Sequence, residues 1–213
     1  MKLKIITILT FSLVFFLVSC KKNNDRTGAN FKVKTTDRTG TLGRTTGTIT
    51  WTSGIASATE IEFEAKKENI ELEFKSEARQ RIDLFAPFSS LGFVTIPPGI
   101  YKEVEFEIHL SSTPADAALE LSGTYNSTPI VFRVNTPIEI EAEFEDVTIT
   151  QGNDFTAIIS LNLSLLTLGI TGADLNNATL TNGEIIISAT SNTVLYNIMI
   201  ANLKNIDNVE IDD

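Results

Sequence analysis

Residues 103–110 read Glu-Val-Glu-Phe-Glu-Ile-His-Leu. As an extended strand, the segment puts Val104, Phe106, Ile108 and Leu110 on one face and Glu103, Glu105, Glu107 and His109 on the other. A helix would scatter both sets around its circumference. The same period of two recurs elsewhere: Ile61, Phe63 and Ala65 against Glu60, Glu62 and Glu64; Ile70, Leu72 and Phe74 against Glu71, Glu73 and Lys75; Ile138, Ile140, Ala142 and Phe144 against Glu139, Glu141, Glu143 and Glu145. Glutamate is a poor intrinsic strand former, so burial of the opposite face must drive these strands. They predict sheets with one wet, acidic face and one dry face.

Shorter apolar runs fill in the rest. Thr48–Thr52, Ile82–Phe85, Phe93–Ile96, Leu119–Tyr125, Ile130–Val134 and Phe155–Leu163 read as further strands, separated by polar turns at 8–15-residue spacing. Pro97-Pro98-Gly99 is a firm turn, because proline fixes φ and glycine accepts positive φ. Near the end the period changes. Val194, Leu195, Ile198, Met199, Leu203 and Ile206 recur at helical spacing behind Asn192, a candidate cap. About nine short strands without intervening helices predict a mainly β fold, an antiparallel β-sandwich with one C-terminal amphipathic helix.

The chain's beginning follows a different rule. Lys2 and Lys4 precede an apolar run from Ile5 to Val18, too short for the roughly 20 residues that span a bilayer and suited to a signal h-region. Leu17-Val18-Ser19-Cys20 then resembles a bacterial lipobox, in which the cysteine thiol takes a diacylglyceryl group. Cys20 is the one cysteine of the chain, so its acylation leaves no disulfide, thiol nucleophile or cysteine metal site. The expected division is a signal peptide over 1–19, a flexible tether over 20–45 rich in Thr, Gly, Asn, Lys and Arg, and a sandwich over 46–213. Two acyl chains anchor stably. The resemblance implies outer-membrane placement, since Lys21 rather than Asp follows the cysteine. Without an acidic run after it, the reading favours the periplasmic face over the cell surface.

Charge divides at the same boundary. Residues 1–44 hold nine Lys/Arg against two acids, and residues 45–213 hold eight against 25, for a net charge of −10. So acidic a domain repels phosphates, which excludes nucleic acid as a partner.

Ile96-Pro97-Pro98-Gly99-Ile100-Tyr101, leading into an alternating strand, resembles the Pro-Gly-x-Tyr turn of transthyretin-like (prealbumin-like) β-sandwich modules. The order of lipobox, Trp-bearing first strand, this hairpin and a late Asn/Gly-rich segment is similar to Gram-negative outer-membrane lipoproteins of the domain-of-unknown-function type. The resemblance implies a fold and a location, and carries no activity with it.

Several residues merit weighing as sites. Asp174, Asn176, Asn182 and Glu184 supply hard oxygens of the kind calcium prefers, though their spacing is not that of an EF-hand. The glutamate ladders, if neighbours, would repel one another and recruit cations. A sugar site would need exposed aromatics, but Trp51 alternates with threonines as a core residue would, and Tyr101 suits a corner tyrosine bonded to backbone. His109, the one histidine, lacks a Gly-x-Ser-x-Gly elbow. These observations together predict a non-catalytic binding or structural module without a cofactor, with a glycan- or calcium-binding module for uptake or adhesion as the alternative and a hydrolase further behind. The expected partners are the membrane, through Cys20, and a protein or glycan.

Overall fold

A computed structural model describes residues 27–42, 47–68, 70–77 and 79–212. The expected signal peptide 1–19, Cys20 and the first residues of the expected tether lie outside them. In chain order the strands are β1 (Gly28–Thr36), β2 (Thr39–Thr41), β3 (Thr48–Lys67), β4 (Ile70–Ser76), β5 (Gln80–Asp83), β6 (Ser89–Thr95), β7 (Gly99–Leu110), β8 (Leu119–Tyr125), β9 (Thr128–Val134), β10 (Ile138–Ile149), β11 (Asp154–Asn162), β12 (Leu180–Thr181), β13 (Glu184–Ile187) and β14 (Asp207–Asp212). Two helices, α1 (Gly172–Asn176) and α2 (Thr193–Leu203), fall between the last strands.

The strands form two sheets. The smaller has the order β14-β11-β1-β6, and the larger runs β10-β7-β3-β8-β9-β13-β12, with β2, β4 and β5 also paired to β3. β3 is the organising strand. Its 20 residues take β8 along Ile49–Ala56 and β7 along Ala58–Lys66, with register shifts at Trp51/Ser53 and Ala58/Glu60. The alternating runs around Trp51 and Phe63 are thus one strand, bent by irregularities that let it serve two sets of partners.

The dry faces of the two sheets meet in one core. Phe31 of β1 stacks on Phe106 of β7 with ring centroids 4.0 Å apart, and lies 5.5 Å from Phe63 of β3. Trp51, Phe63, Phe106, Phe132 and Leu121 are all buried. The mainly β sandwich expected from the period of two is therefore present. Most pairings are antiparallel, but β1–β11 and β9–β13 are parallel.

One boundary is corrected. Composition assigns 20–45 to a tether, with Phe31-Lys32-Val33 at most a late-joining edge strand. Instead β1 begins at Gly28 and lies inside the smaller sheet, between β11 and β6. Ala29, Phe31 and Val33 are buried while Lys32 and Lys34 face outward, so a strand half of whose residues are polar still closes the core. Gly28 permits the close approach of β6: a Cβ there would stand 2.1 Å from the Val94 carbonyl oxygen.

The C-terminal helix is also present, shorter than the pattern suggests, with Leu195, Tyr196 and Met199 buried. Asn192 sits at its N-cap position but does not cap it. With φ at 50°, its side chain turns back: Oδ1 accepts from Thr179 N at 2.8 Å, and Nδ2 donates to Thr179 O at 3.0 Å and Ile186 O at 2.8 Å. Asn192 therefore pins the connector to β13. Asn192→Ala loses all three bonds in a left-handed conformation that asparagine tolerates better than alanine. It is expected to cost roughly 1–3 kcal/mol in denaturant unfolding.

Candidate functional site

Strands β4, β3, β7 and β10 lie side by side and bring the glutamate ladders onto one outer face, opposite the core. Cross-strand register sets four rows: Glu60, His109 and Glu139; Lys75, Glu62, Glu107 and Glu141; Glu73, Glu64, Glu105 and Glu143; Glu71, Lys66, Glu103 and Glu145. Like charges directly opposite one another destabilise a sheet, so this face is electrostatically loaded.

Two lysines relieve part of the load. Lys75 Nζ lies 2.5 Å from Glu60 and 2.6 Å from Glu62, and Lys66 Nζ lies 2.5 Å from Glu103 and 3.5 Å from Glu64. Their carboxylate partners push both ammonium groups above the ordinary lysine range, and Lys75, followed by Glu60, holds Glu62 below the ordinary carboxylate range. Among the described residues neither Glu105 nor Glu107 is paired with a lysine, although Lys66 partly offsets the rise at Glu105. Burial pushes Glu105 up, reinforced by Glu141 and Glu64. Burial pushes Glu107 up to about 7, with Glu139 and Glu62 adding to the rise and His109 opposing it. His109 Nε2 lies 3.0 Å from Glu107, 3.6 Å from Glu60 and 4.0 Å from Glu62. His109 Nε2 makes no hydrogen bond to any of them.

Because Glu107 holds its proton in the folded state from the ordinary value of 4.5 up to about 7, and loses it earlier when unfolded, its contribution to stability declines as pH rises through that window. Glu107→Gln removes the penalty. Near pH 8 the variant is expected to be more stable by on the order of 1 kcal/mol, the partly exposed setting reducing the full shift. Near pH 4, where the wild-type carboxyl is already neutral, melting temperatures should coincide.

Two trios on this face have ligand atoms within 4.8 Å of one another: Glu60, Glu62 and His109, and Glu107, His109 and Glu139. One imidazole nitrogen with two carboxylate oxygens is a donor set for zinc or a similar transition metal rather than for calcium. In the first trio Lys75 already pairs with both carboxylates and offsets one of their two charges.

In the oxygen-rich connector the polar side chains bond to neighbouring groups. Asp174 completes a capping box at α1, accepting from Thr171 N at 2.8 Å and Thr171 Oγ1 at 2.6 Å, and Thr171 lowers its pKa. Asn176 Oδ1 lies 3.0 Å from the Tyr125 hydroxyl. Asn182 and Gly183 form the two-residue turn between β12 and β13 with φ of 54° and 84°, the double positive φ that Asn-Gly favours. Glu184 is paired to Thr181 within that hairpin. Each residue serves the local fold.

The requirement for a sugar platform can be checked directly. Trp51, Tyr101, Tyr125 and Tyr196 account for every Trp and Tyr in the chain, and all four are buried. Tyr101 donates its hydroxyl to the Pro97 carbonyl at 2.8 Å, as a corner tyrosine does. A polar cleft of about 460 Å³ lies at one end, between the Ser112–Ala117 loop, Arg81 and Arg133. Arg133 pairs with Glu120 at 2.7 Å and Arg81 with Asp116 at 3.7 Å, so neither guanidinium lacks a carboxylate.

No protein-family model, curated protein or solved structure matches this chain. The chemistry of the site therefore rests on its own residues. Sequence reasoning reached the glutamates but missed a groove of about 550 Å³ along β10, where Ile138 and Ile140 face Leu161, Ile200, Leu203 and Ile206. These apolar positions are visible in the sequence. Nothing local to them shows that a strand and the end of a helix stop short of covering one another.

Proposed function

We propose that this chain is a lipid-anchored protein of the outer membrane, on its periplasmic face, whose sandwich is a non-catalytic binding or structural module. What carries the reading is the lipobox-like Leu17–Cys20, set only eight residues before the first strand at Gly28. Fully extended, that stretch reaches about 28 Å. A domain held on so short a lead works against a membrane.

Charge supports the same arrangement. The four-strand acidic face is repelled by anionic headgroups and so turns away from the bilayer. The smaller sheet, which β1 joins, presents Lys32 and Lys34 beside the exposed ring of Phe88, 5.5 and 6.0 Å from its centroid.

The non-catalytic part of the reading has its own support. The carboxylates stand on regular paired strands facing water rather than converging in an enclosed cleft. The interior cavity between the sheets is about 20 Å³ and lined by apolar side chains such as Val33, Ile108 and Leu121. It is too small and too dry for a substrate.

Mass spectrometry of the N-terminal peptide from the membrane fraction tests the proposal. A peptide beginning at Cys20 with diacylglyceryl and N-acyl additions is expected, and an unmodified Cys20 within a longer or differently processed terminus would refute it.

A further inference from the structure

The larger sheet ends on a long strand whose second side has no hydrogen-bonded strand among the described residues, although β14 and β11 of the smaller sheet approach β10. β10 runs for 12 residues and pairs with β7 along one side. Among the described residues it has no strand partner on the other. Such an edge presents a row of backbone donors and acceptors, and native proteins guard it or use it.

The side chains beside this edge define what could occupy it. Along Thr136–Glu143 the groove has two chemistries, and Lys204 at the end of α2 also lines it, one cation against three glutamates. Its inner wall is half-buried Ile138 and Ile140 over Leu161, Leu203 and Ile206. That wall is continuous with the small apolar cavity between the sheets, which shares the same five residues. Its outer rim is Glu139, Glu141 and Glu143, all exposed. A strand added here would place alternate side chains against the isoleucines and the others against the glutamates, directly opposite at roughly 5 Å.

A second copy of this chain does not fit that description. Edge-to-edge pairing of two β10 strands sets Glu139, Glu141 and Glu143 among glutamates, the arrangement that strand edges use to prevent self-association. The glutamates that exclude a copy favour a basic strand, and specificity commonly rests on such a pairing of attraction with repulsion. The rows behind the edge point the same way. Lys66 and Lys75 bond glutamates on β3 and β7, and Glu141 and Glu143 of β10 stand opposite Glu107 and Glu105, not opposite a lysine. A cation delivered along β10 would offset a repulsion now left standing.

We infer that the β10 edge receives an extended segment of a partner protein, alternating apolar residues with Lys or Arg, as an added strand of the sheet. This rests on reading the sandwich as a binding module and names the class of partner. Backbone bonds supply affinity in this mode, and the side-chain alternation supplies selectivity.

The test uses the mature, full-length chain in detergent micelles at physiological ionic strength. The probe is a short fluorescent peptide of alternating lysine and valine, its anisotropy corrected for empty micelles. Three comparisons accompany it: a permuted peptide of the same composition, the alternating peptide N-methylated at every second amide, and the Glu139→Lys/Glu141→Lys/Glu143→Lys protein. The alternating peptide is expected to bind, and each change to weaken it by about tenfold or more. Equal binding of the permuted or N-methylated peptide would reduce the interaction to adsorption on an acidic face and overturn the inference, and so would no binding at all. N-methylation leaves the protein untouched, so a folding defect in the triple variant does not obscure the result. Loss of membrane attachment in a Cys20 variant bears on the anchor alone and leaves this measurement unaffected.

Discussion

Phe31→Ala is expected to destabilise the sandwich by about 3–5 kcal/mol, the range for removing a large buried aromatic from a packed core. Phe31 is 1% exposed and is flanked by Phe106 at 4.0 Å and Phe63 at 5.5 Å. Truncation deletes ring contacts to both and leaves a cavity at the point where the two sheets meet. Because β1 lies between β11 and β6, the damage extends beyond one strand: among the described residues β6 pairs with β1 alone, and the β1–β11 ladder joins segments more than 100 residues apart. Native stabilities of 5–15 kcal/mol leave little margin for such a loss. Phe88→Ala on the same sheet, at a residue 53% exposed, should stay within about 0.5 kcal/mol. Chemical denaturation of the two variants beside the parent measures the contrast. Were 20–45 a tether, both substitutions would be silent.

The reason this segment is hard to read lies in its residues. β1 is Gly-Ala-Asn-Phe-Lys-Val-Lys-Thr-Thr, with two large apolar side chains. Its outer face carries lysines, and its stability comes from a parallel partner far along the chain. Local composition holds no trace of that pairing. The strands β7, β10 and the β3–β4 hairpin, by contrast, declare themselves through alternation, because each must separate a core face from a wet face within a few residues. The parallel β9–β13 pair is hidden for the same reason as β1: register between distant segments is a property of the assembled sheet.

The site divides along similar lines. The glutamate ladders were legible strand by strand, and their repulsion if adjacent follows from charge alone. That β4, β3, β7 and β10 are neighbours depends on topology, and with it the raised carboxyls of Glu105 and Glu107. The connector allowed two readings, an Asn/Gly-rich turn segment and a calcium ligand set. Its asparagines and aspartate resemble a ligand set in composition, yet Asp174 caps α1, Asn182 turns a hairpin and Asn192 bonds backbone. Asn and Asp suit both roles because a short polar side chain reaches a nearby backbone group as readily as an ion.

The central claim is that an acidic sandwich is held at a membrane by one lipidated residue, and Cys20→Ala examines it most directly. The substitution lies outside the described fold and removes the only thiol in the chain. Two acyl chains hold a protein stably where a single chain binds only marginally, so in a Cys20→Ala protein whose residues 1–19 are replaced by a secretory signal removed without acylation, which leaves no apolar Ile5–Val18 segment behind, losing the anchor should shift the protein almost entirely from the membrane fraction to the soluble fraction. The melting temperature of the released protein should match that of the wild type extracted in detergent, since every residue of the described fold is unchanged. The measurement is fractionation of both proteins, followed by thermal unfolding of each. Release with an unchanged melting temperature is the predicted result; a Cys20→Ala protein that remains in the membrane fraction would contradict the account.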